Sequence, residues 1–184
     1  MEYNQTVTLK DGRQCILRSG TARDAQAYLS CFRLAHAQTD FLRTYPDECT
    51  LTVEQEENEL KEKRKSASEA EILAEVDGRV VGSAGIERVG DREKVRKRAV
   101  FGISIEKAYW GLGIGRALTE ACIACARKAR YAQLELEAVA QNERAVALYK
   151  KLGFAEFGRN PKGMLSRTDG WQEVVLMRLD LEDP

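Results

Sequence analysis

Apolar and polar positions follow two different periods along the chain, and each change of period predicts an element. Val7 to Arg18 carries a β-rich alternation interrupted by Asp11-Gly12, which predicts a tight hairpin, and Asp24 to Ala37 repeats its apolar residues at helical spacing. Phe41-Leu42-Arg43-Thr44-Tyr45-Pro46 reads as an aromatic loop. Val53 to Ser66 is almost entirely charged, with Glu57/Lys61 and Glu59/Lys63 four positions apart, so a mobile, solvent-facing helix is expected there. Glu71 to Val76 and Arg79 to Arg88 are joined by Asp77-Gly78, a dipeptide that tolerates positive φ twice, which is a strong hairpin signal. Lys97 to Ile105 adds a third strand to this meander.

Further on, Leu118, Ala121, Cys122, Cys125 and Ala129 form one apolar stripe at helical spacing. Leu134 to Val139 then reads as a strand, Glu143 to Leu152 as a helix closed by Gly153, and Phe154 to Arg159 and Trp171 to Leu181 as strands separated by a Pro161 to Gly170 connection. A strand, a helix and a strand in succession from Lys97 to Val139 imply a right-handed crossover between parallel strands. The expected fold is therefore α/β, with a mixed, mostly antiparallel central sheet flanked by helices and one parallel β-α-β unit. No repeat, low-complexity segment or linker divides residues 1–184, so one domain is expected.

Composition narrows the function classes. Hydrophobic residues make up 43% of the 184 and charged ones 32%, which suits a packed core, and no apolar run approaches the roughly 20 residues of a membrane span. The 29 basic and 29 acidic side chains cancel, removing the sequence-independent attraction on which nucleic-acid binders rely, so neither nucleic acid nor membrane is an expected partner. Lys94, Arg96, Lys97 and Arg98 read as a solvated basic cluster. Met1-Glu2-Tyr3-Asn4 lacks the start of a secretory signal, and five cysteines without a framework of spacings suit a reducing compartment, so a cytoplasmic location is expected. The single histidine, His36, has nothing near it in sequence to complete a triad or a metal site. Cys122-x-x-Cys125 lies on the apolar stripe with no second pair, which favours core thiols over zinc or redox chemistry.

The chemistry concentrates at Trp110-Gly111-Leu112-Gly113-Ile114-Gly115-Arg116, between a strand and a helix. There the unpaired N–H groups and the positive end of the helix dipole converge, and three alternate glycines remove the β-carbons that would keep a phosphate away. Arg116 in the first turn opposes the dipole unless an anion offsets it. Glu135 sits at the spacing of a dinucleotide fold's acidic residue, but the third glycine of G-x-G-x-x-G is missing and antiparallel strands precede the loop. Asn142 reads by itself as an N-cap, and Tyr149 belongs to an apolar stripe with Ala145, Leu148 and Leu152.

Taken in order, Ile103-Ser104-Ile105, the glycine loop, Leu134-Glu135-Leu136-Glu137 and Asn142-Glu-Arg-Ala-Val-Ala-Leu-Tyr149-Lys-Lys-Leu-Gly-Phe154 resemble the GNAT N-acetyltransferase superfamily over at least Ile72 to Leu179. Trp110 departs from the arginine or glutamine usual at its position. The resemblance implies acetyl-CoA as acyl donor, no metal, and a strand before the loop that bulges away from its neighbour to admit pantetheine. It places the main chain of Ile103, Ser104 and Ile105 beside the pantetheine, the amides of Gly111, Leu112, Gly113, Ile114, Gly115 and Arg116 on the pyrophosphate, and Asn142 near the pantetheine or acetyl region. Tyr149 becomes the general acid toward the departing thiolate, and Glu137 matches the base of some ribosomal-protein N-terminal acetyltransferases, with Glu87 as its rival. By the same analogy the acceptor lies near the N-terminal helices, Phe41 to Pro46 and Pro161 to Gly170. That late segment lacks the tyrosines frequent in peptide N-terminal acetyltransferases, which favours a small amine or amino acid. Protein acetylation is the alternative, a non-catalytic acyl-CoA-binding module a lesser one, and a homodimer is left open.

Overall fold

The computed structural model of the protein describes residues 1–181. One sheet of eight strands runs through it: β1 (Asn4–Thr8), β2 (Gln14–Ser19), β3 (Ala70–Val76), β4 (Arg79–Arg88), β5 (Arg98–Ile105), β6 (Gln133–Val139), β7 (Ala155–Ser166) and β8 (Gly170–Asp180). Their spatial order is β1-β2-β3-β4-β5-β6-β8-β7. Every neighbouring pair is antiparallel except β5 and β6, the parallel pair expected from the crossover. Four helices flank the sheet: α1 (Ala25–Ala37), α2 (Val53–Lys65), α3 (Ile114–Lys128) and α4 (Glu143–Lys151).

The apolar stripe of α3 buries Leu118, Ala121, Cys122 and Cys125 against Ile72, Ala84, Ile86, Ala99, Leu134 and Met177, forming the main core. Alternation along β3 sends Leu73 to the opposite face, where it meets Cys31 and Tyr28 of α1 and Val80. Buried on both faces, β3 and β4 read as nearly continuous apolar runs. The Asp77-Gly78 hairpin forms as expected, with φ of +52° and +74°. Among the described residues no helix is long and apolar enough to cross a membrane.

Two expectations are corrected. The charged helix α2 is not a free solvent helix: Leu60 and Glu56 are buried, and Lys63 reaches across to Glu71 at 3.1 Å and Glu87 at 2.7 Å rather than to Glu59. Two carboxylates already fixed by the sheet hold this amine better than a flexible partner on the same helix. The Pro161 to Gly170 connection is also mostly strand, because β7 continues to Ser166 and pairs Met164 with Gln172 and Leu165 with Trp171. The register slips between Asn160 and Met164, so Pro161 and Gly163 sit at a bulge on the sheet's edge, where a missing N–H is tolerated.

Candidate active site

The parallel pairing of β5 with β6 lasts only from Arg98/Gln133 to Val100/Glu135, after which the strands part. The bulge expected in β5 is absent: its register with β4 is unbroken from Arg88/Ala99 to Gly82/Ile105, so the gap opens wholly on the β6 side. The register shift falls instead between β3 and β4, at Ala74/Glu75. Alternation then fixes which groups face the gap. The Arg98 carbonyl accepts from Val89 N at 3.1 Å and Glu106 N donates to the Val81 carbonyl at 3.0 Å, so even-numbered residues of β5 turn their main chain to β4. Ser104 is among these. The main-chain groups of Phe101, Ile103 and Ile105 therefore point into the gap, and the Ile105 carbonyl accepts from the Trp110 indole Nε1 at 2.7 Å.

That indole bond folds the glycine loop back onto the end of β5, a structural use for the unusual Trp110 that its sequence position does not reveal. Lys10 N donates to the Leu112 carbonyl at 3.0 Å, bracing the loop from the first hairpin. Gly111 and Gly113 have φ of +89° and +105°, and Gly113 is the N-cap of α3. No described group lies within 4 Å of where a Gly113 β-carbon would be, so glycine is required there by backbone conformation rather than by crowding. The first helical turn closes with Ala117 N donating to the Gly113 carbonyl at 3.1 Å, which leaves the amides of Ile114, Gly115 and Arg116 ahead of the intrahelical ladder. Arg116 is paired with Glu120 at 2.9 Å, so its charge in the first turn does not by itself call for a bound anion. A better-placed cation is Arg144, in the first turn of α4, whose Nη2 would be 3.3 Å from a β-carbon on Gly111.

Asn142 acts as the N-cap it resembles, accepting from Ala145 N at 3.3 Å. Tyr149 is 7% exposed and packs edge-on against Phe101 at 6.0 Å and Phe154 at 5.9 Å. Phe101 is the first β5 residue beyond the paired stretch, so this ring stands at the wall of the gap. Burial alone pushes the Tyr149 phenol far above its ordinary value, which keeps its proton in place and leaves it a hydrogen-bond donor.

On the opposite face of the sheet, Glu87, Val100 and Glu135 lie in one row across β4, β5 and β6, and Glu137 follows two residues along. Each carboxylate has a cation. Lys63 holds Glu87 at 2.7 Å, Arg98 holds Glu135 at 2.6 and 2.8 Å, and Arg43 holds Glu137 at 2.7 Å. The Arg98 guanidinium keeps Glu135 below the usual carboxylate range, which unsuits it as a base. Glu137 lines a cavity of about 470 Å³ with Asp40, Arg43, Tyr45, Met164 and Gln172, among others. Residues of the aromatic loop (Leu42, Arg43, Tyr45) and of the late β7 segment (Met164, Leu165) both line this cavity.

His36 has a structural task. Buried beneath the loop and stacked on Phe32 at 3.7 Å, its Nδ1 lies 2.8 Å from the Thr44 carbonyl, and burial lowers its pKa. Cys122 and Cys125 are core thiols whose pKa values burial raises. Among the described residues no group of three or more histidine, cysteine, aspartate or glutamate side chains could hold a metal.

The structure thus sets a parted parallel strand pair beside a glycine-built helix N-terminus, with a carboxylate-lined cleft on the other face of a mixed α/β sheet. The chain belongs to the acetyltransferase (GNAT) family, whose model matches residues 34–154. It is 37% identical over 82 residues to the [ribosomal protein bS18]-alanine N-acetyltransferase of Escherichia coli K12, covering 45% of this chain and 55% of that protein. It is 36% identical over 113 residues to the N-alpha-acetyltransferase RimI of Mycobacterium tuberculosis, covering 61% and 67% respectively. The chain spans about half the length of the first curated relatives it matches, 40% and 55%. Among solved structures, a GNAT-family acetyltransferase from Streptococcus pneumoniae superposes with a TM-score of 0.86 at 28% identity, covering 91% of this chain and 99% of that one.

Proposed function

We propose that the protein is an acetyl-CoA-dependent N-acetyltransferase acting on the primary amine of a small molecule or amino acid, in one domain and in the cytoplasm. The observation that carries this reading is the gap between β5 and β6, which opens beside the free amides of the α3 N-terminus and has Tyr149 at its wall. The residues present fit such a donor: the amides from Gly111 to Arg116 would hold the pyrophosphate, and the gap-facing main chain of Ile103 and Ile105 would pair with the pantetheine amides like a missing strand. Ser104 would contribute through its neighbours, its own amide being turned to β4. Asn142, while capping α4, would also contact the pantetheine or acetyl region. The bound thioester supplies an acyl carbon open to attack by an amine.

The chain's residues have three tasks. A gap-facing amide donates to the oxygen where negative charge develops, an effect worth roughly 3 kcal/mol for one fixed donor. The Tyr149 hydroxyl stabilises the departing sulfur. Because burial raises the phenol further above a thiol's ordinary pKa of about 8.5, it does so chiefly as a donor, with the proton crossing fully only as the sulfur gains charge. Glu137 takes a proton from the acceptor ammonium, which near pH 7 is about one part in two thousand neutral if its pKa is ~10.4.

Protein N-terminal acetylation is the second reading, favoured by the names of the E. coli and M. tuberculosis relatives at 37% and 36% identity. Thiol release from acetyl-CoA, with pooled small amines set against peptides and after titrating the five protein cysteines, decides between the two. Small-amine turnover is the expected result. Tyr149→Phe should then slow turnover ten- to a thousandfold while CoA affinity by calorimetry stays close to wild type. Unchanged turnover in that variant would remove Tyr149 from the mechanism, and CoA binding without any turnover would leave a non-catalytic module.

A further inference from the structure

The acceptor cleft holds an imbalance of charge. Asp40 and Glu137 line it, and Arg43 is the cation placed between the loop and β6, since Arg167 is committed to Asp47 at 2.9 and 3.0 Å and stacks on Tyr45 at 4.0 Å. Asp40 receives neutral donors, Tyr45 Oη at 2.9 Å and Gln172 Nε2 at 3.2 Å, so among the described residues its charge is hydrogen-bonded but not offset by a cation. Arg43 spends one N–H on Glu137, with side-chain exposures of 73% and 44% for the two partners. A single-contact pair that open to water is weakly held, whereas a planar guanidinium grips a carboxylate best through two parallel bonds.

The loop that presents Arg43 is anchored on both sides. The Asp40 carbonyl accepts from Gln172 at 3.2 Å, and Thr44 is tied to the buried His36 at 2.8 Å. Arg43 can therefore change partner by rotating its side chain while its backbone stays in place. Leu42, Met164 and Leu165 supply an apolar wall to the cleft, whose volume is in the range of small-ligand sites.

We propose that the acceptor is a free α-amino acid with an apolar side chain, and that Arg43 is its carboxylate receptor, leaving Glu137 to bind the substrate's ammonium group. This rests on the acetyltransferase reading of the site and adds the acceptor class and a recognition residue to it. In the resting protein Arg43 neutralises Glu137 and masks it as a base. The zwitterion exchanges the partners: its carboxylate takes Arg43 through two bonds, and its ammonium replaces the guanidinium at Glu137, with Asp40 adding to the negative field. One ammonium proton then passes to Glu137, and the freed lone pair forms the N–C bond as the thioester C–S bond breaks. The second nitrogen proton ends on the leaving sulfur, and Glu137 returns its proton to solvent. A peptide N-terminus carries no α-carboxylate and cannot draw Arg43 away.

The test is a set of initial rates with leucine and methionine against leucinamide, methioninamide and a peptide beginning with the same residue, for the wild-type chain, Arg43→Gln and Arg43→Lys. The wild type is expected to prefer the free acid over its amide by at least about thirtyfold in kcat/KM, because a site built around a polar partner rejects the analogue that lacks it. In Arg43→Gln that ratio should fall to within about threefold of one, and Arg43→Lys should restore part of it. Amides or peptides used as well as the acids by the wild type, or an unchanged ratio in Arg43→Gln, would overturn the assignment and leave the acetyltransferase reading intact. Absence of turnover with every amine, while CoA still binds, would remove both.

Discussion

Gly113 carries the strain of the glycine loop. At φ +105° an alanine is held in a region that costs an L-residue roughly 1–3 kcal/mol, and relief by rotation to negative φ would turn the next amides away from the site. Gly113→Ala is therefore expected to lower CoA affinity by about tenfold or more, read by calorimetry, together with a fall of a few degrees in melting temperature. The three glycines at alternate positions are visible in the sequence, and they are what raises the expectation of an anion site there. Which of them needs positive φ is decided by the path of the chain: Gly111 and Gly113 do, while Gly115 sits within α3, where an added β-carbon would make ordinary 3.5 Å contacts with Ile105 and Leu148. Arg43 is the reverse case. Nothing in a loop of mixed residues marks it, and its pairing with Glu137, 94 positions away, exists only in the fold.

Among the elements, α2 shows how packing overrides a charged pattern. Its burial against the sheet raises Glu56 to about 7 from an ordinary 4.5, desolvation being the largest cause, with Glu59 and Glu71 adding repulsion and Lys63 opposing. A carboxyl that binds its proton more tightly in the folded state makes stability decline as pH rises from about 4.5 towards 7, with the whole penalty present above that window. Glu56→Gln removes the titration, so the variant should gain on the wild type across this range and be more stable at pH 8 by on the order of 1 kcal/mol. Urea melts at pH 5 and pH 8 measure the difference, and an equal gap at both values would show that Glu56 titrates normally. The strand β7 teaches a similar lesson: Pro161 and Gly163 look like a loop, but an edge position with a bulge accommodates both.

At the scale of the whole molecule, the gap leaves two strand edges without partners in the middle of the sheet, and a ligand that fills it joins the two halves. CoA at a hundred times its dissociation constant contributes about 2.7 kcal/mol, which for a domain of this size is a rise of roughly 5–10 °C in melting temperature. A thermal melt with and without CoA measures this, and an unmoved transition would show that the gap does not take it. The order of elements, the Asp77-Gly78 hairpin, the parallel crossover and the glycine loop were determined by the sequence alone, because each rests on contacts between residues close along the chain or on a hydrophobic period that one element displays by itself. Tertiary structure decided where β5 leaves β6 and which carboxylate each cation holds, Arg43 on Glu137 among them. Those outcomes depend on sheet twist and on pairings between distant residues, and the free energy of such pairings is set by geometry that no local pattern contains.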